Sequence, residues 1–146
     1  LLGSSQGGLV CSLVAAEKED EIERMIMYYP ALCIPDDSRR GCVIGTKIDP
    51  NNVPDSFYGV FVKLGKKYVE DARALDPYEQ ICTFKKPVLI IHGIEDKLVK
   101  IEYSRKANER YENCELIEVH GDHGFLLKGL KAGKKATAKY LKDLDL

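Results

Sequence analysis

The sequence predicts an α/β protein in which helices flank a parallel sheet. Residues 88–91 and 115–119 are rich in apolar and β-branched side chains, as is typical of buried strands. Each of them is followed by a segment, residues 101–111 and 126–144, in which apolar side chains recur at helical spacing. Strands that alternate with helices favour a parallel sheet covered on both faces.

The first part of the chain shows the same alternation. Residues 1–2 look like the end of a strand, and a glycine-rich turn leads from them into a predicted helix over residues 9–18. Residues 25–29 form a short apolar run that stops at Pro30, so we predict a buried strand there.

The middle of the chain is predicted to be a cap-like insertion, residues 31–80, within one domain that spans residues 1–146. Prolines, aspartates and asparagines predict mainly loop over residues 31–53. Residues 55–74 are predicted to be helical, because apolar side chains recur at spacings of 4, 3 and 4: Phe57, Phe61, Leu64 and Tyr68.

The chain starts at Leu1, inside what we predict to be a strand. We therefore expect it to be the C-terminal portion of a longer domain. A strand without its neighbour leaves unpaired backbone groups, which invite association with another chain. A homo-oligomer formed through the exposed sheet edge is therefore a further expectation.

The composition argues against several classes of partner. The 22 basic and 23 acidic side chains nearly cancel to a net charge of −1, so no net field attracts nucleic acid or a membrane surface. No apolar run approaches the length of a membrane span. The five cysteines are widely spaced and form no CxxC pair, which argues against a zinc site or a disulfide framework. Scattered reduced thiols favour a cytoplasmic protein.

The strongest chemical signal is the turn Gly3-Ser4-Ser5-Gln6-Gly7, which matches the G-x-S-x-G pattern of a nucleophile elbow. A serine at such a tight strand-to-helix turn has strained dihedral angles, and glycines two positions away avoid clashes. We predict that Ser5 is a catalytic nucleophile. The backbone N–H of Gln6 would then face the developing oxyanion.

A serine nucleophile needs a base, and the base needs a carboxylate to orient it. Such groups gather beyond the carboxyl ends of parallel strands. Asp96 and His123 follow the two later strands, in the order Ser, acid, His that this kind of site requires. Glu95 is the alternative acid. The other histidines, His92 and His120, each end a strand and are predicted to be structural.

Three segments resemble the α/β-hydrolase family, and within it the bacterial serine esterases that act on cinnamoyl and feruloyl esters. They are residues 3–8 (GSSQGG), 87–96 (PVLIIHGIED) and 121–125 (GDHGF). The resemblance implies the C-terminal part of an α/β-hydrolase fold with a small cap insertion. It departs from the family at Ser4, where a histidine is frequent. The family's N-terminal half, which supplies the second oxyanion N–H, is missing.

The resemblance implies a triad of Ser5, Asp96 and His123 that cleaves carboxylic esters through an acyl-enzyme, with no metal or organic cofactor. Small or aromatic, hydroxycinnamoyl-type acyl esters are the expected substrates. Within the insertion, Phe57, Tyr58 and Phe61 are candidates for an acyl pocket, although the apolar stripe of a packed helix is the favoured interpretation of these residues. A thioesterase, acyltransferase or peptidase would use the same triad, and a hydrolase-like domain that only binds a ligand is the alternative from another class.

Overall fold

The computed structural model of the chain describes residues 1–59, 62–125 and 129–142. These residues form two compact units. The first unit comprises Leu1–Leu32 and Pro77–Leu146, and the second comprises Cys33–Asp76. The described helices include none that is long and apolar enough to cross a membrane.

The first unit contains a four-stranded sheet flanked by helices. Its strands are β1 (Leu2–Ser4), β2 (Met25–Tyr28), β7 (Val88–Gly93) and β8 (Cys114–Val119). Its α-helices are α1 (Gln6–Glu17), α4 (Pro77–Gln80), α5 (Glu102–Arg110) and α6 (Leu130–Lys142). Short 3₁₀ turns cover Glu19–Glu21, Ile81–Thr83 and His123–Phe125.

All strand pairs of this sheet are parallel, and the strand order is β1-β2-β7-β8. Gly3 pairs with Met27, Met27 pairs with Ile90, and Ile90 pairs with Leu116. This confirms the predicted parallel α/β arrangement. β1 lies at one end of the strand order, and its Leu2 is 61% exposed. Association through this edge stays a prediction.

Successive side chains of a strand point to opposite faces of the sheet. Different helices cover these two faces. On one face, apolar side chains of the strands pack with Phe125 and against Ala136 and Tyr140 of α6. The opposite face carries β7 side chains such as His92, which is fully buried and contacts Ser104 of α5. β7 is buried on both faces, which explains the continuous apolar run of its residues 88–91.

The second unit differs from the sequence prediction at two places. Residues 31–53, predicted to be mainly loop, contain a helix, α2 (Ile34–Arg40), and a small hairpin of β3 (Cys42–Val43) and β4 (Thr46–Lys47). The helix predicted over residues 55–74 is wrong in its first half. That half contains the antiparallel hairpin of β5 (Ser56–Tyr58) and β6 (Lys63–Gly65), and only α3 (Lys66–Ala74) is helical.

The apolar residues that suggested the longer helix belong instead to a small core. Phe57 and Leu64 pair across the hairpin. Both side chains pack with others of this unit against a buried cluster of Val43, Val53 and Val69. Phe61 lies outside the described residues. The same holds for the first and last residues of the predicted helix over residues 126–144.

The glycines of the strand-to-helix turn do not have equal roles. A Cβ at Gly3 would overlap the carbonyl oxygen of Gly7 and lie 2.6 Å from the Cys11 sulfur, so only glycine fits there. A Cβ at Gly8 would lie 2.7 Å from the Pro30 Cβ. A Cβ at Gly7 has no described atom within 4 Å beyond its own helix backbone and chain neighbours. The expected clash at Gly7 is therefore wrong, and Gly8 is the tightly packed position instead.

Gly3→Ala and Gly7→Ala should therefore change the free energy of unfolding in opposite directions. The first substitution overpacks a backbone contact and should destabilise by about 1–3 kcal/mol. The second replaces a helical glycine in open space and should stabilise by up to about 1 kcal/mol. Denaturant unfolding of both variants checks this, and equal losses of stability would contradict the assigned packing.

Candidate active site

The carboxyl ends of three parallel strands carry the polar residues of the candidate site. Ser5 follows β1, Asp96 lies three residues beyond β7, and His123 lies four residues beyond β8. Parallel strands place these ends at the same edge of the sheet. Three residues distant in sequence are thereby brought together.

The three side chains form a continuous hydrogen-bonded chain. Nε2 of His123 lies 3.0 Å from Oγ of Ser5, and Nδ1 of His123 lies 2.7 Å from Oδ2 of Asp96. An ionised carboxylate can only accept, so Nδ1 carries the proton that it donates to Asp96. In the neutral ring, Nε2 is then the acceptor for the Ser5 hydroxyl proton. This is the arrangement of a nucleophile, a base and an orienting acid.

Ser5 has the strained backbone that its sequence context predicts. Its φ is 51° and its ψ is −123°, a conformation that L-residues rarely adopt. Backbone hydrogen bonds hold it on both sides, since its N–H donates to the carbonyl of Tyr28 and its own carbonyl accepts from Ala31. The strain is thus maintained by the neighbouring strand, and the side chain is directed towards His123.

Asp96 is a buried carboxylate with many donors around it. It is only 7% exposed, and its Oδ1 accepts the backbone N–H groups of Leu98 and Val99, each at 2.9 Å. Burial by itself would raise the pKa of this carboxyl. Hydrogen bonds from His123, His92 and the Val99 N–H outweigh burial and hold the pKa of Asp96 well below its usual range. The group is therefore ionised at neutral pH.

His123 lies in a tight turn and packs beside two aromatic side chains. Gly124 and Phe125 both have positive φ, 79° and 55°, so the turn bends sharply behind the imidazole. The ring of Tyr29 lies 4.8 Å from the His123 ring, centroid to centroid, and Tyr29 packs edge-on against Phe125 at 5.0 Å. These rings limit the rotation of the imidazole and keep it near Ser5.

Tyr29 is a neighbour of the site that sequence reasoning missed. It has a φ of 37°, an uncommon value for a bulky residue. Burial raises the pKa of its phenol, and the Ser4 side chain acts in the opposite direction. Ser4 is the position at which the chain departs from the family pattern. Only its position directly after a strand, before Pro30, could have drawn attention to Tyr29.

Glu95, the alternative acid, belongs to a separate pair. Its Oε1 lies 3.0 Å from Nδ1 of His120, and its Oε2 accepts the backbone N–H of Gly121 at 2.6 Å. These bonds hold the pKa of Glu95 below its ordinary value. The His120 side chain is 83% exposed. The structure thus places Asp96, and not Glu95, beside His123, whereas Glu95 links the loops after β7 and β8.

His92 is buried, as a structural residue would be, but it also contacts the candidate site. Its Nε2 lies 3.2 Å from Oδ2 of Asp96. The signal that could have revealed this is the spacing of four residues from the strand-end His92 to Asp96.

The candidate pocket residues lie in the second unit. Phe57 is half-buried in the core of that unit, whereas Tyr58 is 71% exposed. Phe61 is outside the described residues. Gln6 is the first residue of α1 and is exposed, which leaves its backbone N–H at the start of a helix.

Comparisons with known proteins place this fold. No protein-family model matches the chain, and no curated protein sequence matches it. Among solved structures, Est1E from Butyrivibrio proteoclasticus is similar over 99% of this chain, with 32% sequence identity and a TM-score of 0.89. A structure of ferulic acid bound to Est1E gives the same identity and TM-score. The chain spans 60% of the length of the Est1E chain.

More distant structures share the fold. The Paleococcus ferrophilus monoacylglycerol lipase is 19% identical over 97% of this chain, with 66% of the lipase covered and a TM-score of 0.67. The esterase domain of a Rhodothermus marinus protein is 21% identical over 87% of this chain, with 53% of its own chain covered and a TM-score of 0.66. The chain therefore has the α/β-hydrolase fold, with esterases and lipases among the proteins that share it.

Proposed function

We propose that the polypeptide carrying this sequence is a serine esterase in which Ser5 is the nucleophile, His123 the general base and Asp96 the orienting carboxylate. The observation that carries the proposal is the unbroken hydrogen-bond chain from Ser5 through His123 to Asp96. The similarity to Est1E supports it, as do the strained Ser5 backbone and the ionised, buried Asp96.

The proposed chemistry proceeds through an acyl-enzyme. The Ser5 oxygen attacks the ester carbonyl carbon while its proton passes to Nε2 of His123. The bond between the carbonyl carbon and the alcohol oxygen then breaks, and His123 returns the proton to the departing alcohol. A water molecule attacks the acyl group in the same way, and the acid leaves as the proton returns to Ser5. Asp96 stabilises the imidazolium throughout.

The start of α1 supplies one donor for the oxyanion. The first N–H groups of a helix have no partner within it, and the helix dipole is positive at this end. The N–H of Gln6 is therefore suited to the oxygen that becomes negative when Ser5 attacks. A single donor is worth about 10²–10³ in rate. The second donor is expected from the part of the fold that Est1E has and this chain does not cover.

The proposed substrates are esters of small or aromatic acids of the hydroxycinnamoyl type. The support comes from Est1E, since that protein binds ferulic acid, a small aromatic acid. No metal or organic cofactor takes part in the proposed steps.

Labelling with a fluorophosphonate probe tests the nucleophile directly. The probe reacts with activated serine hydroxyls, so the wild-type polypeptide should be labelled and Ser5→Ala should not. Substitution of the neighbouring hydroxyl, Ser4→Ala, is the matched control and should leave labelling intact. If the wild type is not labelled while it binds a hydroxycinnamate, the chain is a hydrolase-like binding domain instead.

Two histidines provide a matched pair for the base. His123→Ala should lower kcat for a p-nitrophenyl ester by about 10⁴-fold or more, because the base and the acid of both half-reactions are lost. His120→Ala should change kcat by no more than about two-fold, since this side chain is exposed and bound only to Glu95. Similar losses in both variants would rule out His123 as the specific base.

A panel of esters tests the substrate class. Methyl esters of hydroxycinnamic acids should give higher kcat/KM than linear acyl esters of similar size. Ser5→Ala is the control and should abolish hydrolysis of both classes of ester. Equal kcat/KM values for the two classes would contradict the proposed preference for hydroxycinnamoyl esters.

A further inference from the structure

His92 is a buried polar residue that the proposed mechanism does not use. It lies in β7, between Ile91 and Gly93, and is 0% exposed. A buried imidazole is costly unless both ring nitrogens have partners. Both have partners here, and one of them is the carboxylate of Asp96.

The partners of His92 determine which nitrogen carries the proton. Its Nε2 lies 2.9 Å from the Val99 carbonyl oxygen and 3.2 Å from Oδ2 of Asp96. Both of these atoms can only accept, so Nε2 must carry a hydrogen. Nδ1 lies 2.7 Å from Oγ of Ser104, and in the neutral ring it accepts the Ser104 hydroxyl proton. Ser104 thereby keeps the Nε2–H directed at Val99 and Asp96.

Oδ2 of Asp96 consequently contacts two imidazoles. It accepts from Nδ1 of His123 at 2.7 Å. Nε2 of His92, whose hydrogen bonds the Val99 carbonyl at 2.9 Å, lies 3.2 Å from the same oxygen. An N–H group this close to a carboxylate oxygen offsets part of its negative charge, so the carboxylate holds its own hydrogen-bond donor less strongly. His92 therefore competes with His123 for the same oxygen.

We infer that His92, held by Ser104, is a positioning residue that fixes Oδ2 of Asp96 and limits how strongly this carboxylate retains the proton of His123. A series of polar contacts thus runs from Ser104 through His92, Asp96 and His123 to Ser5. Its consequence is that His123 becomes a competent base at a lower pH than it would beside an Asp96 without this donor. The inference rests on the proposed function for its effect on rate, but its effect on titration does not require catalysis.

Two other titratable groups lie close to His92 and His123 and also contribute to the electrostatic potential there. Glu118 of β8 is the strand neighbour of His92 and is already paired with Arg105 of α5, at 2.7 Å between Oε1 and Nε. Tyr29 is a further titratable group at the site and packs against His123. Burial is the main cause that raises the pKa of Tyr29, and the charge of Asp96 adds to it. Neither Glu118 nor Tyr29 changes in the variants below, so a difference between those variants reports on the His92 donor.

Two substitutions of His92 by side chains of similar size distinguish the effect of its N–H group from the effect of its packing. His92→Gln keeps an N–H donor at the distance of Nε2 from the backbone, and His92→Leu removes it. His92→Leu should shift the acidic limb of the kcat/KM profile to higher pH by about one unit, the equivalent of one hydrogen bond to a charged group. Its kcat should fall about ten-fold with KM nearly unchanged, because Oδ2 is no longer fixed. His92→Gln should restore most of both properties.

Titration of the His123 imidazole by NMR measures the effect of His92 on His123 without any need for catalytic turnover. In Ser5→Ala as background, His92→Leu should raise the pH at which this ring titrates, and His92→Gln should not. A shift without esterase activity in the wild type would refute the proposed function and leave the coupling intact. Activity in the wild type with identical titration in both variants would overturn the inference.

A failure of His92→Leu to fold leaves a decisive measurement on the wild type. The ¹⁵N spectrum of the labelled histidines should show His92 with its proton on Nε2 at neutral pH. Ser104→Ala, which removes only the partner of Nδ1, should weaken this preference. A His92 ring with its proton on Nδ1 alone would contradict the donor role.

Discussion

The parallel backbone pairing of β1, β2, β7 and β8 is the constraint on which the candidate site depends. The pairing continues past the strand ends, as shown by the hydrogen bonds from Ser5 to Tyr28, from Tyr29 to Ile91 and from Ile94 to Val119. The turns that leave these strands are therefore tied to neighbouring strands, and not only to their own. This explains how side chains from three turns keep hydrogen-bond distances although Ser5 and His123 are 118 positions apart in the sequence.

The site combines features that cost stability when taken singly. Ser5 has a strained backbone, and Asp96 is an ionised group in a buried position. Each feature is offset by fixed donors or acceptors around it. The sheet holds the Ser5 turn, whereas the N–H groups of Leu98 and Val99, together with His92 and His123, surround the carboxylate. The result is a hydroxyl, an imidazole and a carboxylate that are held at hydrogen-bond distances from one another.

Local sequence predicted the strands of the sheet correctly, because their apolar runs are typical of buried strands. It predicted the wrong structure for residues 55–65, because the spacing of the apolar residues there fits both a helix and a hairpin. Residues 25–28 and 88–91 form short apolar runs, which are typical of buried strands in a parallel sheet. In the second unit, Phe57 and Leu64 fit a helical stripe, yet they also face each other across a hairpin. Their contacts with the cluster around Val69 decide between these alternatives, and such contacts are not visible in a local spacing.

The sequence alone determined the chemical types at the site, their order along the chain and the strand-to-helix turn that strains Ser5, because short motifs encode local backbone geometry. The tertiary structure decided which acid faces His123, since Glu95 and Asp96 are adjacent in sequence and only the loop geometry directs one to His120 and the other to His123. It also decided that His92 reaches Asp96. Hydrogen bonds between side chains depend on distances in space, and only the packed sheet and its helices establish those distances.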